Sequence, residues 1–138
     1  MKTLKAITLI CLAILTFSCN KDDDSSETQE ATNLELLTSG KWYQESKTPG
    51  TTTSCEKKTN LLFKTDGTLK LEIFEETSGS CQSLGIETLT YTLTNNVDLT
   101  LTFGTDTLNL VILSITETQL TIRNDQDDEV LVFDKTEG

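Results

Sequence analysis

The chain has 138 residues, 22 of them Asp or Glu and 11 Lys or Arg, so its formal net charge is −11, and it contains no His. That length fits one small domain, and the acidity excludes nucleic-acid binding, which needs Lys and Arg to neutralise phosphates. Without His, the commonest general base and the commonest transition-metal ligand are missing, which moves the weight from catalysis towards binding or scaffolding.

Lys2 and Lys5 lead into an apolar run from Ala6 to Phe17. The run is shorter than the roughly 20 residues that span a hydrocarbon core, and it suits an export leader. The segment Leu15-Thr16-Phe17-Ser18-Cys19 resembles the lipobox of bacterial lipoproteins, in which the cysteine is acylated and becomes the mature N-terminus. The resemblance implies removal of residues 1–18 and lipidation of Cys19, although Thr16 stands where that family carries an aliphatic residue. Several acyl chains on one cysteine would anchor the protein firmly to a membrane. Loss of Lys2 and Lys5 with the leader makes the mature chain more acidic still.

The stretch Asn20-Lys21-Asp22-Asp23-Asp24-Ser25-Ser26 is too polar to bury a core. Residues 19–33 therefore read as a flexible acidic tether ahead of a folded domain over 34–138. A Lys and acidic residues this close behind the lipidated cysteine resemble the surface-export signal of Bacteroidota-type lipoproteins. That implies an outer-membrane protein facing the medium; without such sorting it would face the periplasm.

One helical turn fits Asn33 to Thr38, with Leu34 and Leu37 on one side. From Gly40 onward apolar and polar residues alternate with period two, and Thr, Leu, Ile and Val supply the pattern, as in half-buried strands. Eight strands are predicted. The first is Lys41 to Lys47 with Trp42 inward, the second Lys58 to Lys64 with Leu61 and Phe63, and the third Thr68 to Glu76 with Leu69, Leu71 and Ile73. The fourth is Ile86 to Thr94 with Leu89, Tyr91 and Leu93, and the fifth Val97 to Phe103 with Val97, Leu99, Leu101 and Phe103. The sixth is Thr107 to Ile115 with Leu108, Leu110 and Ile112, and the seventh Gln119 to Arg123 with Leu120 and Ile122. The eighth is Glu129 to Asp134, with either Val130 and Val132 or Leu131 and Phe133 inward.

Short polar loops make each neighbouring pair a hairpin. Thr65-Asp66-Gly67 sets Phe63 opposite Leu69 and Leu61 opposite Leu71. Asn95-Asn96, with Thr94 in the loop, sets Leu93 opposite Val97 and Tyr91 opposite Leu99. A Thr105-Asp106 turn sets Phe103 opposite Leu108 and Leu101 opposite Leu110. The result is an all-β antiparallel up-and-down meander, and closure into a barrel removes its exposed edges.

With Cys11 in the leader and Cys19 lipidated, Cys55 and Cys81 remain. In an exported protein, pairing is the default. The hairpin register puts Cys55 opposite Thr77, with Cys81 just beyond in the loop after Ser78-Gly79-Ser80.

The run Leu37-Thr38-Ser39-Gly40-Lys41-Trp42 resembles the Gly-x-Trp opening of lipocalin-like domains. Phe63-Lys64-Thr65-Asp66-Gly67 resembles their F-x-x-D-G hairpin, and Leu113 to Ile122 their late hairpin. The resemblance covers roughly residues 34–134. It implies an eight-stranded lipocalin-like barrel with Trp42 plugging its base and a small apolar ligand in its mouth. It also implies a closing Arg stacked on the Trp, which here would be Arg123. The family's C-terminal helix is not expected. The residues assigned to the barrel interior or ligand site are Trp42, Phe63, Leu71, Tyr91, Leu101, Phe103 and Leu110.

No catalytic residues, cofactor or metal are expected. Glu72 and Glu76 alternate outward, and Asp125-Gln126-Asp127-Asp128-Glu129 lacks the glycine of a calcium loop and reads as a polar hairpin turn. The reading is of a non-catalytic, monomeric barrel, lipid-anchored in the membrane, that holds a small apolar ligand. The competing reading is a filled barrel acting as an accessory subunit, adhesin or inhibitor, its acidity steering it to a basic protein partner.

Overall fold

The computed structural model describes residues 31–138. The leader over 1–18, Cys19 and the tether up to residue 30 lie outside the described residues. The ordered chain opens on a short helix, α1 (Asn33–Leu37). Thr32 caps it: the Thr32 hydroxyl accepts from the Glu35 backbone N–H, and the Glu35 carboxylate accepts from the Thr32 N–H at 2.7 Å. These two bonds satisfy N–H groups that the first turn would leave bare.

Eight strands follow: β1 (Lys41–Thr48), β2 (Asn60–Phe63), β3 (Thr68–Thr77), β4 (Ser80–Thr94), β5 (Asp98–Phe103), β6 (Asp106–Ile115), β7 (Gln119–Asn124) and β8 (Glu129–Asp134). Each pairs antiparallel with the next, and β8 returns to pair with β1 from Tyr43↔Asp134 to Thr48↔Val130. The sheet is therefore a closed up-and-down barrel, as the alternating pattern requires. On β8 the inward pair is Leu131 and Phe133, the second of the two phases the sequence allowed.

The β2–β3 register is the expected one, Phe63↔Leu69 and Leu61↔Leu71. Gly67 takes φ +82°, and the Asp66 carboxylate accepts from the Thr68 N–H and hydroxyl. The next two hairpins differ from expectation by two residues. Leu93 pairs with Leu99 and Tyr91 with Leu101, because Asn95 and Asn96 both take positive φ and close a turn with the Val97 N–H on the Thr94 carbonyl. Val97 is thus a loop residue, exposed rather than inward. Between β5 and β6 the turn is Gly104-Thr105, with Gly104 at φ +60°, so Phe103 faces Asp106 and Leu101 faces Leu108. A slip of two keeps every strand side chain on its own face, which is why the inward set, apart from Val97, survives both errors.

β4 is longer than expected. Its first two-thirds, Ser80 to Leu89, pair only with β3; pairing with β5 begins at Thr90. The turn before it is Ser78-Gly79, so Cys81 lies within the strand, opposite Glu76. Cys55 does not continue β2 backwards; it precedes a one-turn 3-10 helix, Glu56–Lys58. The two cysteines are bonded all the same, with Cα atoms 5.4 Å apart. The bridge ties the β1–β2 connection to the β3–β4 hairpin.

At the same edge the Lys47 ammonium donates to Glu56 at 2.6 Å, and the Thr53 N–H donates to the other Glu56 oxygen at 2.7 Å. The Lys47 bond, then the Thr53 N–H, hold the Glu56 carboxyl below its ordinary value of 4.5. A carboxyl with a depressed folded pKa adds stability above its unfolded pKa and loses it as pH falls through the folded value. Glu56→Gln is therefore expected to flatten the acid side of the stability curve, below about pH 4.5. Thermal midpoints of the wild type and the variant across the acid range check this; parallel curves would remove Glu56 from acid unfolding.

Candidate functional site: the barrel interior and its mouth

The barrel has two unlike ends. At the closed end, the start of β1, α1 lies across the opening and Leu37 is fully buried beneath it. Trp42 is also fully buried, and its indole N–H donates to the Leu37 carbonyl at 2.9 Å. Phe63, Leu69, Leu99 and Leu120 pack there with almost no exposure. The Phe63 and Tyr91 rings meet edge to face, 5.1 Å between centroids, and the Tyr91 hydroxyl donates to the Lys64 carbonyl. Burial pushes the Tyr91 phenol above its ordinary pKa. This end is solid.

The cation over the plug is not Arg123. That guanidinium bonds Asp125 on its own hairpin turn, at 2.9 Å. Lys135, just past β8, places its ammonium 3.3 Å from the Trp42 ring centroid and donates to the Ser39 hydroxyl. Closure brings the end of β8 beside the start of β1, whereas Arg123 points out of the β7–β8 hairpin. Burial holds the Lys135 ammonium below the ordinary lysine value.

The other end is open. An interior cavity of about 180 Å³ lies above the aromatic layer, lined by Leu61, Leu71, Leu101, Leu110, Ile122 and Leu131 among others. A second space of about 270 Å³ opens to the mouth, lined by Leu71, Leu89, Leu101, Phe103 and Leu108 with Glu87 and Asp106. The two share Leu71, Leu101 and Leu108 in their walls, so they are neighbours along the barrel axis. Each space is below the roughly 300–1,000 Å³ of small-molecule pockets, which limits either one to a small ligand.

The seven residues assigned to the interior therefore divide. Trp42, Phe63 and Tyr91 build the solid base and line neither space. Leu71, Leu101 and Leu110 line the interior cavity. Phe103 holds an inward position but is 53 % exposed, because β5 ends there and the ring stands at the rim. The sequence reading placed Leu108 inward and offered Leu131 as inward, but it missed Asn124, Glu87, Asp106 and Glu129 as lining residues. The signal for them was present: each continues the inward phase of its strand by one step towards the mouth.

The lining is chiefly aliphatic, with Thr107 and the carboxylates of Glu87, Asp106 and Glu129 as its main polar groups. Among the described residues no group of three Cys, Asp or Glu side chains could hold a metal ion, and no helix is long and apolar enough to cross a membrane. What this geometry can do is take up an apolar body from one end. The profile of the lipocalin-like domain matches residues 38–122, more than half of the chain. No curated protein and no solved structure matches it significantly. With its closed eight-stranded meander and tryptophan-plugged base, the chain belongs to the lipocalin-like domain family.

Proposed function

We propose that this is an exported, lipid-anchored binding protein of the outer membrane, without catalytic activity, that takes a small apolar molecule into the open half of its barrel. The observation that carries the binding reading is the pair of leucine-lined spaces above the solid base. The anchoring reading is supported by the apolar leader, Cys19 and the acidic tether; the Lys21-Asp22 start of the tether favours the cell surface over the periplasmic face. The native state on this reading is a monomer.

A second reading, an interaction module with no small ligand, is favoured by one feature. Leu84 and Ile86 are each 61 % exposed on the part of β4 that has no β5 partner, and an unpaired strand edge is a template for another chain. Native mass spectrometry of the full protein, extracted from membranes with detergent, separates these readings. The expected result is a mature N-terminus at Cys19 carrying acyl mass, and a small molecule that stays bound until unfolding and is absent from Leu108→Trp. An unacylated N-terminus would end the anchoring reading. A stoichiometric protein partner with no small molecule would favour the interaction module.

A further inference from the structure

The ligand-binding reading leaves open what kind of apolar molecule enters. Resting on that reading, we propose that the mouth selects apolar cations, such as aliphatic amines, over fatty acids and other apolar anions.

Side chains on a strand alternate between faces with period two. The inward phase of β4 runs Tyr91, Leu89, Glu87 towards the mouth; that of β6 runs Ile112, Leu110, Leu108, Asp106; that of β8 runs Phe133, Leu131, Glu129. Three strands thus replace the next aliphatic inward residue by a carboxylate at the rim. Glu87 and Asp106 line the mouth space, and Glu129 lines the interior one. No Lys or Arg lines either.

Among the described residues, none of the three carboxylates forms an ion pair or accepts a side-chain hydrogen bond. Lys47 lines a neighbouring space with Glu129 and feels its charge, but is bonded to Glu56 at 2.6 Å. Lys135 is at the opposite end, over Trp42. The three carboxylates do not converge on a metal position, so the complement they suit is a diffuse organic cation.

The physics is that of charge beside low-dielectric walls. A carboxylate headgroup at this rim would meet like charges, the Lys47 ammonium opposite Leu131 being already bonded to Glu56, and apolar walls strengthen that repulsion. An ammonium at the same depth gains charge-assisted hydrogen bonds to Glu87 or Asp106. The exposed Phe103 ring offers it a π face as well.

The test is calorimetric titration of the full mature chain at fixed ionic strength with octylamine, octanol and octanoate. The amine is expected to bind about tenfold more tightly than the alcohol, a difference of about 1.4 kcal/mol, with octanoate weakest. Glu87→Gln with Asp106→Asn should bring the amine down to the alcohol's affinity and leave the alcohol unchanged. Glu117→Gln with Glu137→Gln makes the same charge change at the closed end, away from the mouth, and should keep the preference. Equal affinity for amine and alcohol, or a preference that survives the rim variant or vanishes in the distant one, overturns the selectivity. If none of the three compounds binds, the ligand-binding reading itself fails.

Discussion

Trp42→Ala is expected to cost about 3–5 kcal/mol of folding stability, the range for deleting a fully buried large aromatic. Three separate losses meet at this residue. The indole fills the space beneath α1, where Leu37 and Trp42 are both fully buried, and alanine leaves a void that the closed sheet cannot collapse into. The indole N–H donates to the Leu37 carbonyl at 2.9 Å, and a buried acceptor left bare costs about 1–3 kcal/mol. The Lys135 ammonium loses the ring face on which it rests, after its hydration has already been reduced. Trp42→Phe separates these contributions: it keeps most of the bulk and a π face but no donor, so about 1–3 kcal/mol is expected from the bare carbonyl. Trp42 is the only tryptophan, so unfolding of both variants is followed by circular dichroism in denaturant. A cost below about 1 kcal/mol for alanine would mean the base is not the rigid plug described.

The plug illustrates what the sequence makes legible. Gly-x-Trp ahead of a period-two region points to the base, and an inward face read by alternation is robust, because only an odd slip would invert it. Registers are more fragile. Asn95-Asn96-Val97 holds two residues that tolerate positive φ and one that does not, and the choice of which residue loops out is made by backbone conformation that composition does not encode. Gly104 rather than Thr105 leading the next turn is the same kind of decision, and it moves Asp106 from a turn into an inward rim position. The mouth was therefore the least legible part: its carboxylates follow the inward phase, yet an acidic residue at a strand end reads as a turn residue. Lys135 was missed for another reason. Its contact with Trp42 depends on barrel closure across almost the whole chain, and no local pattern marks it.

The second large effect lies at the open end. Replacing Cys55 and Cys81 together by Ser is expected to destabilise the protein by about 3.5 kcal/mol, the chain-entropy value for a loop of this length. The bridge holds the one part of the sheet that closure does not. From Ser80 to Leu89, β4 has β3 on one side and no β5 on the other, and Leu84 and Ile86 there bury little surface. On the far side of the bond, Cys55 is buried and leads into the 3-10 turn that positions Glu56 against Lys47. Loss of the bond should therefore act twice: it lowers global stability, and it lets the outer β3–β4 hairpin open before the rest of the barrel. Denaturant unfolding measures the first effect. Amide exchange measures the second: protection should fall most over residues 74–84 and be retained at Leu69, Leu99 and Leu120 in the base. Reduction of the wild type should reproduce both changes. If the double variant loses less than about 1 kcal/mol and residues 74–84 stay as protected as before, the strand pairing of β3 with β4 is sufficient alone and the bridge has no part in stabilising the rim.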